Sequence, residues 1–303
     1  MSPLLTQLRE AAAAVARRAR HVRINTSRIA DYSASLPLDD RPTGADETPG
    51  ISREERAAFW LTLDAVNFGS GWFPTLNKAP GRSGYHTIAA ALRERFASRG
   101  PWSPEELTAL TAADVARTLS QAPSHELMAL FADSLNDLGE HVSEAGGFAA
   151  VVDAAGDSAA ALVERLAAWP AFADTSTYAE LTLPFLKRAQ ILAADLSRAG
   201  VAEFDDLHRL TLFADNLVPH VLRLDGILGF DARLVQRIER EELIAHGSPE
   251  EVEIRACALW AVELIVAARP GTTGAEIDQL LWLRGQGPRY KAVPRHRSRT
   301  TAY

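Results

Sequence analysis

The stretch EEVEIRACALWAVELIVAA, at residues 250–268, limits the possible folds more than any other part of the chain. A surface helix carries one apolar stripe, whereas this segment is apolar on nearly every side beyond its first turn. Such a helix is stable in water only when other elements enclose it. Because no apolar run in the chain approaches the length of a membrane span, the segment predicts a central helix in a globular core.

Helix-start signals recur along the rest of the sequence. SREE at 52–55 and SPEE at 103–106 and 248–251 each place a serine cap three residues before a glutamate. In both SPEE segments the proline falls at the first helical position, where its missing N–H does no harm. Convincing alternating strands are scarce, and HVRIN at 21–25 is the best candidate for one. The sequence therefore predicts a mainly α protein.

We expect one globular helical domain over residues 1–303, a length that can bury a sizeable core. Three segments interrupt the helical pattern. Residues 33–51 are predicted to be a polar connector that contains proline and glycine, and residues 67–85 a loop rich in glycine and aromatic side chains. Residues 284–303 are predicted to form an irregular basic tail.

Charge and cysteine content narrow the class of protein. The net charge of −7 disfavours a protein that lives on duplex nucleic acid, which calls for a basic surface. The only cysteine, Cys257, lies within the apolar helix and is predicted to be a core residue rather than a nucleophile. The first residues lack the apolar block of a secretory signal, so we expect a soluble cytoplasmic protein.

The sequence lacks the motifs of several kinds of active site. It contains no HExxH, no cysteine pair and no carboxylate-rich calcium loop, and its eight histidines are scattered. It also lacks the GxSxG of an α/β-hydrolase and the glycine-rich phosphate loops GxxxxGK[ST] and GxGxxG. The remaining candidate is catalysis by acidic side chains without a metal.

The candidates for that chemistry are Asp215 and Lys187. Asp215 lies in the apolar run LTLFADNLVPHVL, where an isolated aspartate is usually a helix cap or a turn residue. Lys187 is predicted to lie near the edge of the apolar stripe of a helix opened by Thr182 and Pro184, where a lone lysine usually extends to solvent. Together they offer an ion pair that keeps a buried carboxylate ionised, and such a carboxylate can stabilise a cationic sugar transition state.

Other segments suggest a site for a flat base. In the loop at 67–85, Phe68 and Trp72 could be the aromatic walls of a pocket, or simply pack the loop onto the surface. Asp278 and Trp282 are four residues apart and share a helix face, where the acid could read the amino and imino groups of a purine-like base. Ordinary amphipathic packing explains the tryptophan equally well.

The tail concentrates positive charge and could bind a phosphate if it folds back onto the domain. Its cationic side chains are Arg289, Lys291, Arg295, His296, Arg297 and Arg299. A basic tail is more often solvated and mobile.

These segments resemble, in chain order, the queuosine-salvage family of queuosine 5′-phosphate N-glycosylase/hydrolases. The matching blocks are NFGSGW, FLKRAQIL, LTLFADNLVPHVL, GILGF, SPEEVEIRACALWAVEL, IDQLLW and VPRHRSRTTAY. The resemblance covers nearly the whole chain and is weakest at the N-terminus and through 100–170. It implies a helical fold similar to that of helix-hairpin-helix DNA glycosylases, and hydrolysis of queuosine 5′-monophosphate to free queuine without a metal or other cofactor.

The resemblance also implies roles for individual residues. It places the catalytic aspartate at Asp215 and the functional lysine at Lys187. Base recognition is implied for Asp278, Trp282 and the loop residues Asn67, Phe68 and Trp72. In the tail, His296, Arg297 and Arg299 are favoured for the phosphate over Arg289 and Lys291 because they lie in a matching block.

We therefore expect a monomeric enzyme that acts on a small nucleotide and forms no stable complex with nucleic acid or membrane. Two alternatives remain open. A nucleic-acid base glycosylase would need a basic face to hold a duplex while it flips a base out. A non-catalytic nucleotide-binding or scaffold protein would tolerate Asp215→Asn and Lys187→Ala with little effect.

Overall fold

A computed structural model describes residues 3–37 and 52–303, and within them the chain forms fifteen α-helices. The helices are α1 (Pro3–Arg18), α2 (Ile29–Ser35), α3 (Arg53–Ala65), α4 (Gly84–Arg99), α5 (Pro104–Thr108), α6 (Ala112–Leu119), α7 (Glu126–Ala145), α8 (Phe148–Asp153), α9 (Ala159–Leu166), α10 (Lys187–Arg198), α11 (Leu217–Leu224), α12 (Ala232–Glu239), α13 (Pro249–Ala268), α14 (Gly274–Gly285) and α15 (Pro288–Lys291). The predicted mainly α fold is confirmed. Across the described ranges, none of these helices is long and apolar enough to cross a membrane.

Four short strands form two antiparallel pairs. β1 (Val22–Ile24) pairs with β4 (Leu228–Phe230), which confirms the strand predicted from HVRIN. β2 (Thr175–Tyr178) and β3 (Leu181–Pro184) form a hairpin that leads directly into α10. The sequence analysis did not predict this hairpin.

The apolar helix predicted at the centre of the core is α13, and it packs against α1, α2, α11 and α14. Its thiol, Cys257, is fully buried, and burial raises the pKa of that thiol to about 12, so the prediction of a core cysteine is confirmed. The apolar side chains around α13 form one core, and those of α3 to α9 with most of α10 form a second. The candidate site lies where the two cores meet.

The predicted helix starts hold at all three serines. Ser52 and Ser103 each form a full capping box with a glutamate three residues later, at α3 and α5. Ser248 caps α13 by accepting the N–H of Glu251, whose own side chain turns instead to the N–H of Gly247 at 3.0 Å. Local sequence therefore sets these boundaries correctly.

The start of α10 differs from the prediction. Thr182 and Pro184 lie in β3, and the helix begins only at Lys187. Pairing with β2 gives the backbone of β3 its hydrogen-bond partners, so these residues stay extended. The first helical N–H, that of Lys187, is capped by the Asp174 carboxylate at 3.0 Å, from the segment before the hairpin.

The predicted connector at 33–51 begins inside a helix, because α2 extends to Ser35. The hydroxyl of Ser33 is buried and donates to the carbonyl of Ile265 in α13 at 3.1 Å, which ties this end of α2 to the core. The remaining connector residues, from 38 onwards, lie outside the described residues.

The basic tail is folded back onto the domain rather than solvated. The carbonyl of Arg297 accepts the N–H of Ile244 at 2.9 Å, and the carbonyl of Tyr303 accepts the N–H of Gly69 at 3.1 Å. The tail backbone approaches the loop after α3 so closely that a Cβ added at Gly71 would lie 2.4 Å from the carbonyl oxygen of Ser298. A side chain at position 71 would therefore displace the tail.

Candidate active site

A cavity of about 860 Å³ opens between the loop after α3, the start of α4, α10, α14 and the folded-back tail. Seven of the ten residues to which the family resemblance assigns a role line it. They are Asn67, Phe68, Lys187, Asp215, Asp278, Trp282 and Arg297. The structure therefore brings residues from five distant segments into one site.

Asp215 is half-buried and lines the cavity in front of α11. Its Oδ1 accepts the backbone N–H groups of Leu217 and Val218, at 2.7 and 3.1 Å. The sequence left open whether this residue is a helix cap or a site residue; the structure shows hydrogen bonds to the start of α11 and places the side chain in the cavity lining. Because both bonds fall on Oδ1, the second carboxylate oxygen is available to a bound molecule.

The buried Lys187 lies at the first position of α10, and its Nζ donates to the backbone carbonyl of Asn67 at 2.9 Å. Burial lowers the pKa of this ammonium, while the negative charges of Asp215 and Asp64 act in the opposite direction. Among the described residues, the ion pairs shorter than 4.0 Å do not include Lys187 and Asp215. The two charges therefore interact through space, without the direct ion pair that the sequence suggested.

A buried ion pair anchors the backbone next to both residues. The Arg255 guanidinium bonds both carboxylate oxygens of Asp174, at 2.9 and 2.6 Å, and neither side chain is exposed. Asp174 also accepts the backbone N–H of Lys187, and Arg255 donates to the carbonyl of Ala214 at 2.9 Å. Since Ala214 directly precedes Asp215, one ion pair from the core fixes the positions of the lysine and the aspartate together.

Asp278 supplies a second carboxyl group with a different environment. It is buried in α14, and its Oδ1 accepts the backbone N–H of Phe213 at 3.2 Å. Burial and the neighbouring Asp215 carboxylate raise the pKa of Asp278 well above its usual range. This shift favours the protonated form of the carboxyl, which can donate a hydrogen bond.

Aromatic side chains form part of the cavity wall. The ring of Trp282 meets Tyr85 edge-on, with centroids 5.9 Å apart, and lies 5.7 Å from the tilted ring of His86. Phe68 is almost fully buried and packs edge-on against Phe131, with centroids 4.9 Å apart. The cavity is thus bounded by flat apolar surfaces suited to a planar heterocycle.

Positive charge gathers at the same cavity. The cationic side chains that line it are Lys78, Arg82, Lys187, Arg198, Lys291, Arg295 and Arg297. Arg297 pairs with Glu241 at 3.2 Å and stays half-buried. Burial lowers the pKa of Arg295, and the Asp215 carboxylate opposes that shift, so the tail places a guanidinium close to the acid.

Within the described ranges, no group of three or more His, Cys, Asp or Glu side chains is arranged to hold a metal ion. Besides the cations and the aromatic walls, five carboxyl side chains line the cavity, those of Asp195, Asp215, Glu241, Glu276 and Asp278.

Comparison with known proteins identifies the family to which this chain belongs. A sequence profile of the family described as queuosine salvage protein matches residues 48–303. This chain belongs to the queuosine salvage protein family. A relative from Sphaerobacter thermophilus named queuosine 5′-phosphate N-glycosylase/hydrolase is 39% identical over 266 residues, which cover 83% of this chain and 82% of the relative. A mouse relative of the same name is 28% identical over 292 residues, covering 86% and 84%.

Three residues predicted to belong to the site lie outside the cavity lining in this queuosine salvage protein. Trp72 donates its indole N–H to Glu126 at 2.7 Å, and Arg299 bonds the same carboxylate at 3.2 Å with its guanidinium over the Trp72 ring. His296 is buried, and burial lowers the pKa of its imidazole to about 3, which leaves it neutral. These three side chains hold the tail and the loop in place around the cavity.

Some cavity residues of the queuosine salvage protein were missed or set aside in the sequence analysis. Arg295 was named among the tail cations but was not assigned to the phosphate, although it lines the cavity. Tyr85 and Phe213 also line the cavity, and both lie in segments that the sequence analysis had already singled out. Asp64 lies beneath the cavity wall, inside a regular helix, and no local signal distinguishes it.

Proposed function

We propose that this chain hydrolyses the N-glycosidic bond of queuosine 5′-phosphate and releases the free base queuine. The family and the names of the relatives support this activity. The observation that carries it is one cavity in which Asp215, Lys187 and Asp278, whose pKa is raised by burial, meet aromatic walls and cations. The net charge of −7 favours a small nucleotide as the substrate over a long nucleic acid.

On the sugar side, Asp215 is proposed to stabilise positive charge that develops as the glycosidic bond breaks, and to orient the attacking water. A carboxylate held in advance by two backbone N–H groups needs little reorganisation during the reaction. The neighbouring Lys187 ammonium favours the charged form of a nearby carboxylate. This arrangement stabilises an oxocarbenium-like transition state more than the ground state.

On the base side, queuine is a 7-deazaguanine, so the ring position at which a departing purine accepts a proton is a carbon. Negative charge that builds on the leaving base needs another partner. Protonated Asp278 is proposed to donate a hydrogen bond to that base, while Trp282 covers its face. The raised pKa of Asp278 favours the form that carries this proton.

On the phosphate side, Arg295 and Arg297 are proposed to bind the 5′-phosphate. Both line the cavity, and a guanidinium matches the geometry of phosphate oxygens. Asp215 and Arg295 lie close enough to interact electrostatically, so the phosphate and the reacting sugar carbon can occupy neighbouring positions.

The test is a mass-spectrometric assay for free queuine, with a chelator present. Purified protein is incubated in parallel with queuosine 5′-monophosphate, the unphosphorylated nucleoside and queuosine-containing tRNA. Release chiefly from the monophosphate is the expected result. Release from tRNA alone would point to a nucleic-acid glycosylase, and no release by folded protein would leave a binding or scaffold protein.

A further inference from the structure

A second buried acid lies behind the cavity wall. Asp64 is in the last turn of α3 and is fully buried. Its Oδ1 accepts the side-chain N–H of Asn67 at 3.0 Å, and the backbone carbonyl of Asn67 accepts the ammonium of Lys187 at 2.9 Å. The chain of contacts from Asp64 to the cavity lysine therefore has a single intermediate residue.

The carboxyl of Asp64 has few other partners. Its Oδ2 is buried and has no hydrogen-bond partner within the described residues. Burial raises the pKa of Asp64 to about 6, while the Asn67 amide and the Lys187 ammonium oppose that shift. At neutral pH the carboxyl is therefore mainly ionised, and a buried charge of this kind needs a cation close by.

We propose that Asp64 is a positioning residue that fixes Asn67 against α10 and keeps Lys187 positively charged in the cavity. The proposal rests on the proposed function, because the lysine matters only if the cavity carries out the reaction. It assigns a role to a carboxyl that does not line the cavity itself.

The charges around Lys187 decide whether the Asp64 carboxylate is needed to keep the lysine positively charged. Lys187 is buried and faces the cation of Arg188 on its own helix, and both features favour the neutral amine. The carboxyls that support its charge are those of Asp215, Asp64 and Asp278, and burial disfavours the charged form of the last. The ammonium therefore depends chiefly on two carboxylates, Asp215 in the cavity and Asp64 behind it.

The groups around Asp64 itself come from two helices. Lys187, Arg188 and Arg198 of α10 all act to lower its pKa, and Tyr85 at the start of α4 feels its charge. Burial lowers the pKa of Arg188 to about 10, so below that pH Lys187 is the cation of these two whose charge changes.

These charges determine the direction in which the pH dependence of kcat/KM should shift when Asp64 is replaced. Lys187 titrates below the usual range of a lysine because it is buried, so activity that depends on its charge declines on the alkaline side. Removing the Asp64 charge removes support for the ammonium. The alkaline decline in kcat/KM should then move to lower pH, by about one pH unit for the loss of one nearby charge.

The deciding variant is Asp64→Asn, because asparagine has nearly the same shape and its carbonyl still accepts the Asn67 N–H. The pH profile of kcat/KM is measured for wild type and variant from pH 5.5 upwards to pH 10. Glu253→Gln is the matched control, since Glu253 is a fully buried carboxylate on α13 outside the cavity lining. Its alkaline limb is expected to coincide with that of wild type.

A second readout does not depend on turnover. The Lys187 ammonium is titrated by NMR in protein carrying ¹⁵N-labelled lysine, with Lys187→Arg to assign the signal, and Asp64→Asn should lower its midpoint. An unchanged midpoint together with an unchanged alkaline limb would overturn the proposal, even if turnover fell equally at every pH. If wild type released no queuine, the proposed function would fail while the lysine titration still tested the role of Asp64.

Discussion

Asp215 shows how one side chain can combine a structural and a chemical role. The same oxygen accepts two N–H groups at the start of α11, and the carboxylate faces the cavity. A cap of this kind contributes about 1 kcal/mol to stability. It also restrains the rotation of the carboxylate, so a feature read as an ordinary cap fixes the orientation of the proposed catalytic group.

Replacing Asp215 by asparagine separates the two roles. The amide oxygen can still accept the N–H groups of Leu217 and Val218, so folding should be retained. The negative charge next to the sugar is lost, and we expect kcat to fall at least about 100-fold. Queuine release measures the fall in kcat, and circular dichroism with thermal unfolding measures whether folding is retained. Retention of most of the activity would remove Asp215 from the mechanism.

The tail arginines provide a second test, because neighbours two residues apart face different surroundings. Arg297→Ala should raise KM for the monophosphate about tenfold to a hundredfold, the usual range for a lost charged hydrogen bond. Arg299→Ala should leave KM close to wild type, since Arg299 bonds Glu126 away from the cavity. The unphosphorylated nucleoside is the control substrate, and equal effects on both substrates would contradict phosphate binding by Arg297.

At the scale of elements, α13 does more than fill the core. Its apolar side chains face α1, α2, α11 and α14, while Arg255 extends from its buried surface to Asp174. That ion pair reaches the first residue of α10 and the residue before Asp215. A helix that the sequence marked only as apolar therefore also sets the geometry of the site.

Breaking this ion pair should destabilise the fold and the site in different ways. Arg255→Met leaves the Asp174 carboxylate buried and unpaired, which should lower the free energy of unfolding by about 3–5 kcal/mol. Adding Asp174→Leu should restore much of that stability, because the unpaired Asp174 charge is then gone and Glu251, the other carboxylate near Arg255, keeps its contact with His246. Chemical denaturation measures both.

Activity should not return in the double variant, since the backbone of Lys187 and the carbonyl of Ala214 still lack their anchors. A double variant that is both stable and fully active would show that the ion pair does not position the site.

At the scale of the whole molecule, the cavity lies between two apolar cores and is closed by the tail. Residues 292–303 carry no helix or strand, yet most of them are buried or half-buried. The tail is held by backbone bonds to the segment before α13 and to the loop after α3, through Ile244 and Gly69. The predicted likeness to helix-hairpin-helix DNA glycosylases stays a prediction.

Acid stability of the whole protein should depend on Glu251. Burial alone would raise the pKa of this carboxyl, but His246, Arg255 and the N–H of Gly247 outweigh it and lower the pKa to about 2. A lowered pKa contributes stability above the unfolded value of about 4.5, and that contribution is lost as the pH falls toward 2. The contribution at neutral pH is about 3 kcal/mol.

The variant Glu251→Gln should therefore be less stable than wild type at pH 7, and the difference should shrink between pH 4.5 and pH 2. Urea denaturation at a series of pH values measures it. A difference that stays constant over this range would mean that the charge of Glu251 does not stabilise the fold.

The sequence by itself determined the features that depend on neighbours along the chain. Capping at Ser52, Ser103 and Ser248 and the burial of α13 follow from hydrogen bonds and apolar periodicity within a few turns. Residue patterns left Asp215 and Lys187 open between a cap with a surface lysine and a catalytic pair, and the resemblance to a family favoured the pair.

Only the tertiary structure decided which side chains share the cavity. The start of α10 at Lys187 depends on Asp174 and on the pairing of β2 with β3. Trp72 and Arg299 were predicted to belong to the site but lie outside the cavity lining, because both bond Glu126, which is distant from them in sequence. Contacts of this kind join segments that are far apart in the sequence. Their contribution to stability depends on how those segments pack, which local sequence patterns do not contain.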